Sequence, residues 1–117
     1  MSGQAKRRGA ETEIWAVEQA WVHLRDAEHI RKAGENDRGD FYVALPGGLV
    51  VVQSKAVRKI SLHQVLKEAG KQATNFGEYR NVETPRSAVL VRPNGLGRAR
   101  IDEWPLVQTY GQFLEGD

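Results

Sequence analysis

The chain carries several segments in which apolar and polar positions alternate with a readable period. From about Ala10 to Arg25, the residues Ile14, Val17, Trp21 and Leu24 recur at spacings of three and four, the signature of one apolar stripe along a helix. Residues 26–32, DAEHIRK, read as a first strand, and 33–39, AGENDRG, as a polar loop. Phe41 to Leu45 is a short apolar run. It is followed by a tight turn at Pro46-Gly47-Gly48 and by Leu49-Val50-Val51-Val52, which ends in Gln53-Ser54-Lys55. This is the pattern of a β-hairpin whose second strand, rich in β-branched residues, is buried on both faces. A second helix is predicted from about Leu62 to Phe76, with Leu62, Val65, Leu66, Ala69, Ala73 and Phe76 on its apolar face. Ser61-x-x-Gln64 forms its capping box and Gly77 its stop. Gly70, unfavourable inside a helix, marks a close backbone approach. Ser87 to Arg92 reads as a buried strand, Pro93-Asn94-Gly95 as a turn, and Arg98 to Gln108 as a further strand, broken or edge-placed at Pro105. The remaining Tyr-Gly-Gln-Phe-Leu packs as a short tail. The order is α-β-β-β-α-β with one extra strand, an α/β domain with a mixed central sheet flanked by helices.

Composition narrows the function class more than it names one. With 117 residues the chain forms one domain, 9–117, behind a flexible basic N-terminal tail, 1–8, that holds Lys6-Arg7-Arg8. Apolar residues at 40% and charged residues at 27% describe an ordinary globular protein, and a net charge of +2 does not by itself require a nucleic-acid partner. The absence of cysteine excludes disulfides and thiolate metal sites and fits a reducing compartment. No apolar run reaches membrane-spanning length and the N-terminus lacks a signal-peptide core, so a cytoplasmic protein with no membrane partner is expected. His23, His29 and His63 show no zinc or HNH spacing, and there is no nucleophile elbow, phosphate-binding loop or dinucleotide fingerprint. Trp15 and Trp21 suit a core or an interface. Arg92, Arg98 and Arg100 fit a DNA groove and a solvated strand face equally well.

The chemistry concentrates between Arg38 and Lys55. Side chains alternate along a strand, so Gln53 and Lys55 share one face at the end of the buried strand. If the first strand pairs back across the turn, Asp40 comes close to both. A carboxylate, a second oxygen ligand and a lysine make a site for a hard metal ion and a phosphate.

Asp40, the hairpin and the triplet Gln53-Ser54-Lys55 together resemble the PD-(D/E)XK nuclease superfamily, with Gly39 in the place of its proline and Gln53 in the place of its second acid. The opening Lys6-Arg7-Arg8-Gly9, followed four residues after the glycine by Glu13, resembles archaeal-type Holliday junction resolvases; so do the loop at Ala33-Gly34 and the interval from Asp40 to Gln53. Arg38-Gly39-Asp40 followed by Leu45-Pro46-Gly47 is similar to resolvase-like nucleases of bacterial viruses, or bacteriophages. The resemblance spans about residues 6–92.

The resemblance implies a restriction-endonuclease-like fold with an αβββαβ core. It implies a Mg²⁺-dependent endonuclease, with Mn²⁺ able to substitute, that hydrolyses phosphodiester bonds in branched DNA and serves DNA recombination and repair. Asp40 would be the main metal ligand, and Glu13 would bind a second ion or one of its waters. Gln53 would add its side-chain carbonyl and Ser54 its backbone carbonyl, and Lys55 would orient the attacking water or offset charge on the phosphate. Lys6, Arg7, Arg8, Lys32, Arg38, Arg58 and Lys59 would hold the DNA backbone. Symmetric cutting of a four-way junction needs two sites related by a two-fold axis, hence a homodimer. Its interface would come from the apolar helix faces or from the stretch Trp104 to Phe113. The rival readings are a nicking or restriction-type endonuclease on duplex DNA, a non-catalytic nucleic-acid binder with a degenerate site, and a protein-binding accessory factor.

Overall fold

The computed structural model describes residues 3–31, 38–55 and 61–116, with residues 3–8 described by their backbone alone. Helix α1 spans Gly3–Val22, strand β1 Asp26–His29, β2 Phe41–Leu45 and β3 Gly48–Lys55. Helix α2 spans Leu62–Arg80, β4 Arg86–Val91, β5 Leu106–Val107 and helix α3 Tyr110–Glu115, with a 3₁₀ segment at Arg98–Glu103. The five strands form one sheet in the order β1-β2-β3-β4-β5. Only β3 and β4 run parallel, which is the pairing that α2 connects; the others are antiparallel. This is the expected αβββαβ core with one added strand.

The sheet separates two apolar layers, and both depend on β3. Val50 and Val52 pack with Ala16 and Val17 of α1, with Phe41, Ala88, Ile101 and Trp104. Val51 points the other way and packs with Ile30, Ala73 and Phe76 on the α2 side. A strand covered on both faces has no need of polar alternation, which is why its sequence is a run of valines. No helix among the described residues is long and apolar enough to cross a membrane.

Several local expectations need correction. Helix α1 starts at Gly3 rather than near Ala10, and its buried face is Thr12, Ala16 and Val17. Of the expected stripe only Val17 is buried; Ile14 and Trp21 are about half exposed, and Leu24 leaves the helix with a positive φ. Small side chains let α1 lie close on the sheet, and Trp21 instead donates its indole N–H to Ala27 O at 3.0 Å. Ser61 makes no side-chain cap to α2, and Gln64, its expected partner, donates to Glu68 instead. Nor does α2 stop at Gly77. It runs to Arg80 and ends at left-handed Asn81, with Asn81 N–H bonded to Glu78 O and Val82 N–H to Gly77 O, a Schellman arrangement. Gly77, not Gly70, is the close approach: a Cβ there would lie 3.1 Å from Thr84 Cα and 3.2 Å from Val82 O. The segment expected as one strand from Arg98 to Gln108 is a 3₁₀ turn followed by the two-residue β5. Its buried residues, Ile101 and Trp104, are three apart, which is the 3₁₀ period and not the strand period.

Candidate active site

Strand β2 enters the sheet through Arg38-Gly39-Asp40. Gly39 has a φ of +93°, and a Cβ placed on it would lie 2.5 Å from Val51 Cγ1. Proline holds φ near −65°, so the residue usual at this place in the resembled motif is excluded here by backbone conformation. After Gly39 the ladder is irregular. Asp40 N–H donates to Val52 O at 3.0 Å, although Val52 has Phe41 as its ladder partner. Two successive residues therefore address one residue on β3, the geometry of a β-bulge. On the other side, Ile30 N–H donates to Asp40 O at 2.9 Å.

The bulge releases the Asp40 side chain toward the end of β3. Its Oδ2 accepts from Ser54 N–H at 2.8 Å and from Ser54 Oγ–H at 2.9 Å. Strand N–H groups lie in the plane of the sheet. The carboxylate oxygen thus stands where a carbonyl of β2 would have continued the ladder. Asp40 is only 5% exposed.

The last three residues of β3 divide between the two faces of the sheet. By strand alternation Ser54 follows Val52 to the α1 face, and Gln53 and Lys55 follow Val51 to the α2 face. The Gln53 side-chain oxygen is buried and has no hydrogen-bond partner among the described residues. A buried oxygen without a donor is costly unless something positive meets it. Lys55 O accepts from Arg92 N–H at 2.8 Å, which carries the β3–β4 pairing to the strand end.

Glu13 is engaged by His29, a histidine outside any zinc or HNH spacing. Its Oε1 accepts from His29 Nδ1 at 2.8 Å, with Glu13 mostly buried and His29 45% exposed. His29 precedes Ile30, whose N–H holds the Asp40 carbonyl, so the pair borders the same strand end. Ser54, expected to contribute a backbone carbonyl, contributes the two donors that hold Asp40. Among the described residues no group of three or more His, Cys, Asp or Glu side chains is placed to hold a metal ion. A cation at Asp40 would need oxygens of other kinds beside it, and the orphan oxygen of Gln53, the residue before the Ser54 that holds Asp40, is a candidate. That set fits magnesium, which takes one or two carboxylates and keeps several waters.

The basic residues divide. Lys32, Arg58 and Lys59 lie outside the described residues, as do the side chains of Lys6, Arg7 and Arg8. The Arg38 guanidinium lies 3.5 Å from the centre of the Tyr79 ring. Arg92 is neither solvated nor in a groove. Its side chain is 11% exposed, donates to Thr12 Oγ1 at 3.1 Å, pairs with Glu11 at 3.3 Å and lies over the Trp15 ring. It ties α1 to the end of β4. Neither His29 nor Tyr79 sits in a motif; the pairing of β1 with β2 brings His29 to this strand end, and Tyr79 meets Arg38 from the last turn of α2.

No protein-family model matches the sequence, and a search of the curated proteins finds no match. Among solved structures the chain is similar to Hjc of Archaeoglobus fulgidus, a Holliday junction resolvase from an archaeal hyperthermophile. The likeness covers 86% of this chain and 72% of that one, with a TM-score of 0.54 and 12% identity. At that identity what is shared is the fold: a mixed five-stranded sheet flanked by helices, of the restriction-endonuclease type.

Proposed function

We propose that this protein is a metal-dependent, structure-selective DNA endonuclease that hydrolyses phosphodiester bonds in branched DNA, as a Holliday junction resolvase does. One observation carries the reading. A buried carboxylate, Asp40, is fixed in the sheet plane by Ser54, whose chain neighbours are Gln53, with its orphan amide oxygen, and Lys55, which ends β3, in a fold shared with a resolvase.

Asp40, in the sheet plane, and the Gln53 oxygen on the α2 face would hold Mg²⁺ or Mn²⁺; Glu13, held with His29 on the α1 face, would reach the ion or one of its waters only around the strand end. The bound ion would polarise a phosphoryl oxygen and acidify the attacking water. Ser54 keeps the Asp40 carboxylate from rotating. His29 orients Glu13 in the same sense. Lys55 orients the nucleophilic water or offsets the charge that grows on the phosphate. Arg38 would hold the backbone without reading sequence. The protein would act as a homodimer, so that two sites meet the two strands of a junction. Leu106, Tyr110, Phe113 and Leu114 are the exposed apolar residues near the C-terminus that a second copy could cover; Trp104 is buried in the core and contributes nothing to such a face.

The test is cleavage of four-way junction, flap and linear duplex DNA with Mg²⁺ or Mn²⁺, with the sedimentation of the protein measured alongside. Asp40→Ala is expected to slow cleavage about a thousandfold, the equivalent of several kcal/mol of lost charge stabilisation. Lys55→Ala is expected to cost about 10²-fold or more. Unchanged rates in both folded variants would sink the enzyme reading, and equal cutting of junction and duplex would move it to the restriction type. Sedimentation at the mass of one chain would remove the two-fold part. A non-catalytic nucleic-acid binder is the second reading, favoured by the lack of a three-acid cluster among the described residues. Junction binding with no cleavage across a Mg²⁺ titration would select it.

A further inference from the structure

Beside the proposed site lies a small cavity that the metal chemistry does not use. It has a volume of about 250 Å³ and is lined by Arg38, Asn75, Glu78 and Tyr79. That is below the ~300–1,000 Å³ of pockets for drug-sized ligands, and suits a single planar group. One wall is a stack. The Arg38 guanidinium lies 3.5 Å from the Tyr79 ring centre, close enough for face-on packing, while Tyr79 remains 57% exposed. The rim carries an amide and a carboxylate, groups able to meet the hydrogen-bonding edge of a heterocycle.

The cavity is also tethered to the site. The backbone of Arg38 is two residues from that of Asp40, a span of at most about 7 Å, and the Arg38 side chain leads from there to the last turn of α2. The intervening Gly39 is pressed against Val51 and Ile30, so the distance is held by the core. A guanidinium plane already resting on an aromatic ring offers its outer face to a further flat ring, and nucleobases stack on arginine planes and aromatic side chains in this way. Within a continuous duplex both faces of a base are covered by its neighbours. Only an unpaired or splayed base could enter.

We infer that the Arg38–Tyr79 stack, with Asn75 and Glu78 at its rim, is a binding pocket for one unpaired nucleobase of the DNA whose backbone meets Asp40. This rests on the nuclease reading and deepens it. The pocket would make the protein prefer DNA with an opened base over continuous duplex by contact with the base itself, independently of any dimer geometry.

The experiment measures binding by fluorescence anisotropy, with Ca²⁺ in place of Mg²⁺, of a linear duplex and of the same duplex carrying one extrahelical 2-aminopurine. The wild type should bind the second at least tenfold more tightly and quench its fluorescence on stacking. Tyr79→Ala should bring the affinity ratio toward one and abolish the quench, a loss of about tenfold, at the low end for one base–aromatic stack. Tyr79→Phe should retain both. Arg38→Lys, which keeps the charge and loses the plane, should lose the quench. Leu24→Ala, which removes an exposed apolar side chain away from the pocket, should change neither ratio nor quench. A wild-type ratio of one, a quench that survives Tyr79→Ala, or an equal loss from Leu24→Ala would overturn the pocket while leaving the nuclease reading standing. Failure to bind either DNA would overturn both.

Discussion

The two ends of the β2–β3 hairpin satisfy their backbones in different ways. At the turn end Leu45 pairs with Gly48 across Pro46-Gly47, all four residues are exposed, and the ladder closes on itself. At the open end the pairing stops at Phe41–Val52. The chain bends through a glycine of positive φ, and a side-chain carboxylate makes the bond that the ladder leaves unmade. Nothing buried depends on a side chain at the turn, so that end needs only turn chemistry. At the open end Val51 and Ile30 lie beneath Gly39 and prevent the irregularity from relaxing. The position of Asp40 is therefore set by the core, and a functional group set by the core is more exactingly placed than one carried on a loop tip.

The most severe way to break this contrast is Gly39→Ala. The new Cβ meets Val51 Cγ1 at 2.5 Å on a backbone with φ of +93°. Left-handed strain in a non-glycine residue costs ~1–3 kcal/mol, and an extra methyl in a packed core a further ~1–3. A loss of about 3 kcal/mol in urea-unfolding stability is expected, together with displacement of Asp40. At the turn end Pro46→Ala should cost about 1 kcal/mol or less, through the unfolded chain. Adding Val51→Ala to Gly39→Ala separates the two causes: the pair should couple favourably by about 1 kcal/mol or more, because the clash disappears and the strain stays. Equal costs for Gly39→Ala and Pro46→Ala would erase the distinction between the ends.

A milder change sharpens it. Ser54→Ala removes one of the two donors to Asp40 Oδ2 and leaves the backbone N–H in place. A hydrogen bond to a charged group contributes about 1.5–3 kcal/mol to stability, and the surviving N–H should keep the loss near the lower figure. Ser54→Thr restores the hydroxyl and should recover most of it. A Ser54→Ala protein as stable as the wild type would mean that the hydroxyl is not needed to hold the carboxylate.

How much of this was legible follows the same line. The hairpin could be read because an apolar run, a Pro-Gly turn and a valine run are all local signals. Asp40, Gln53 and Lys55 could be placed at one strand end from spacing alone, and the fold followed from the order of the elements. The bulge could not be read, since it depends on Val51 filling the space that a side chain at position 39 would need. The face of α1 was misread because its contacts are made by Thr12, Ala16 and Val17, while Trp21 and Ile14, the residues that dominate an apolar pattern, stay half exposed. The strand expected over Arg98–Gln108 failed for a related reason, as only Ile101 and Trp104 are buried there. His29 and Tyr79 were out of reach because their partners, Glu13 and Arg38, are 16 and 41 positions away in sequence.

The smallest effect lies between the two ends. Tyr42 is the cross-strand partner of Glu28, and its hydroxyl donates to Glu28 Oε2 at 2.5 Å. That hydrogen bond first, then burial and the nearby negative charge, raise the phenol above its ordinary value of 10.0, while Arg80 pulls it the other way. The folded chain therefore holds this proton more tightly than the unfolded chain does. The resulting stability is fully present below the unfolded value, near pH 10, and is lost as pH rises through the higher folded value. Glu28→Gln keeps an acceptor and removes the charge, so the phenol should titrate nearer its ordinary range. Urea-unfolding stability of the wild type should then fall more steeply above about pH 10 than that of the variant. Solvent screening at this partly exposed pair keeps the difference small. Equal alkaline slopes would detach the titration of Tyr42 from Glu28.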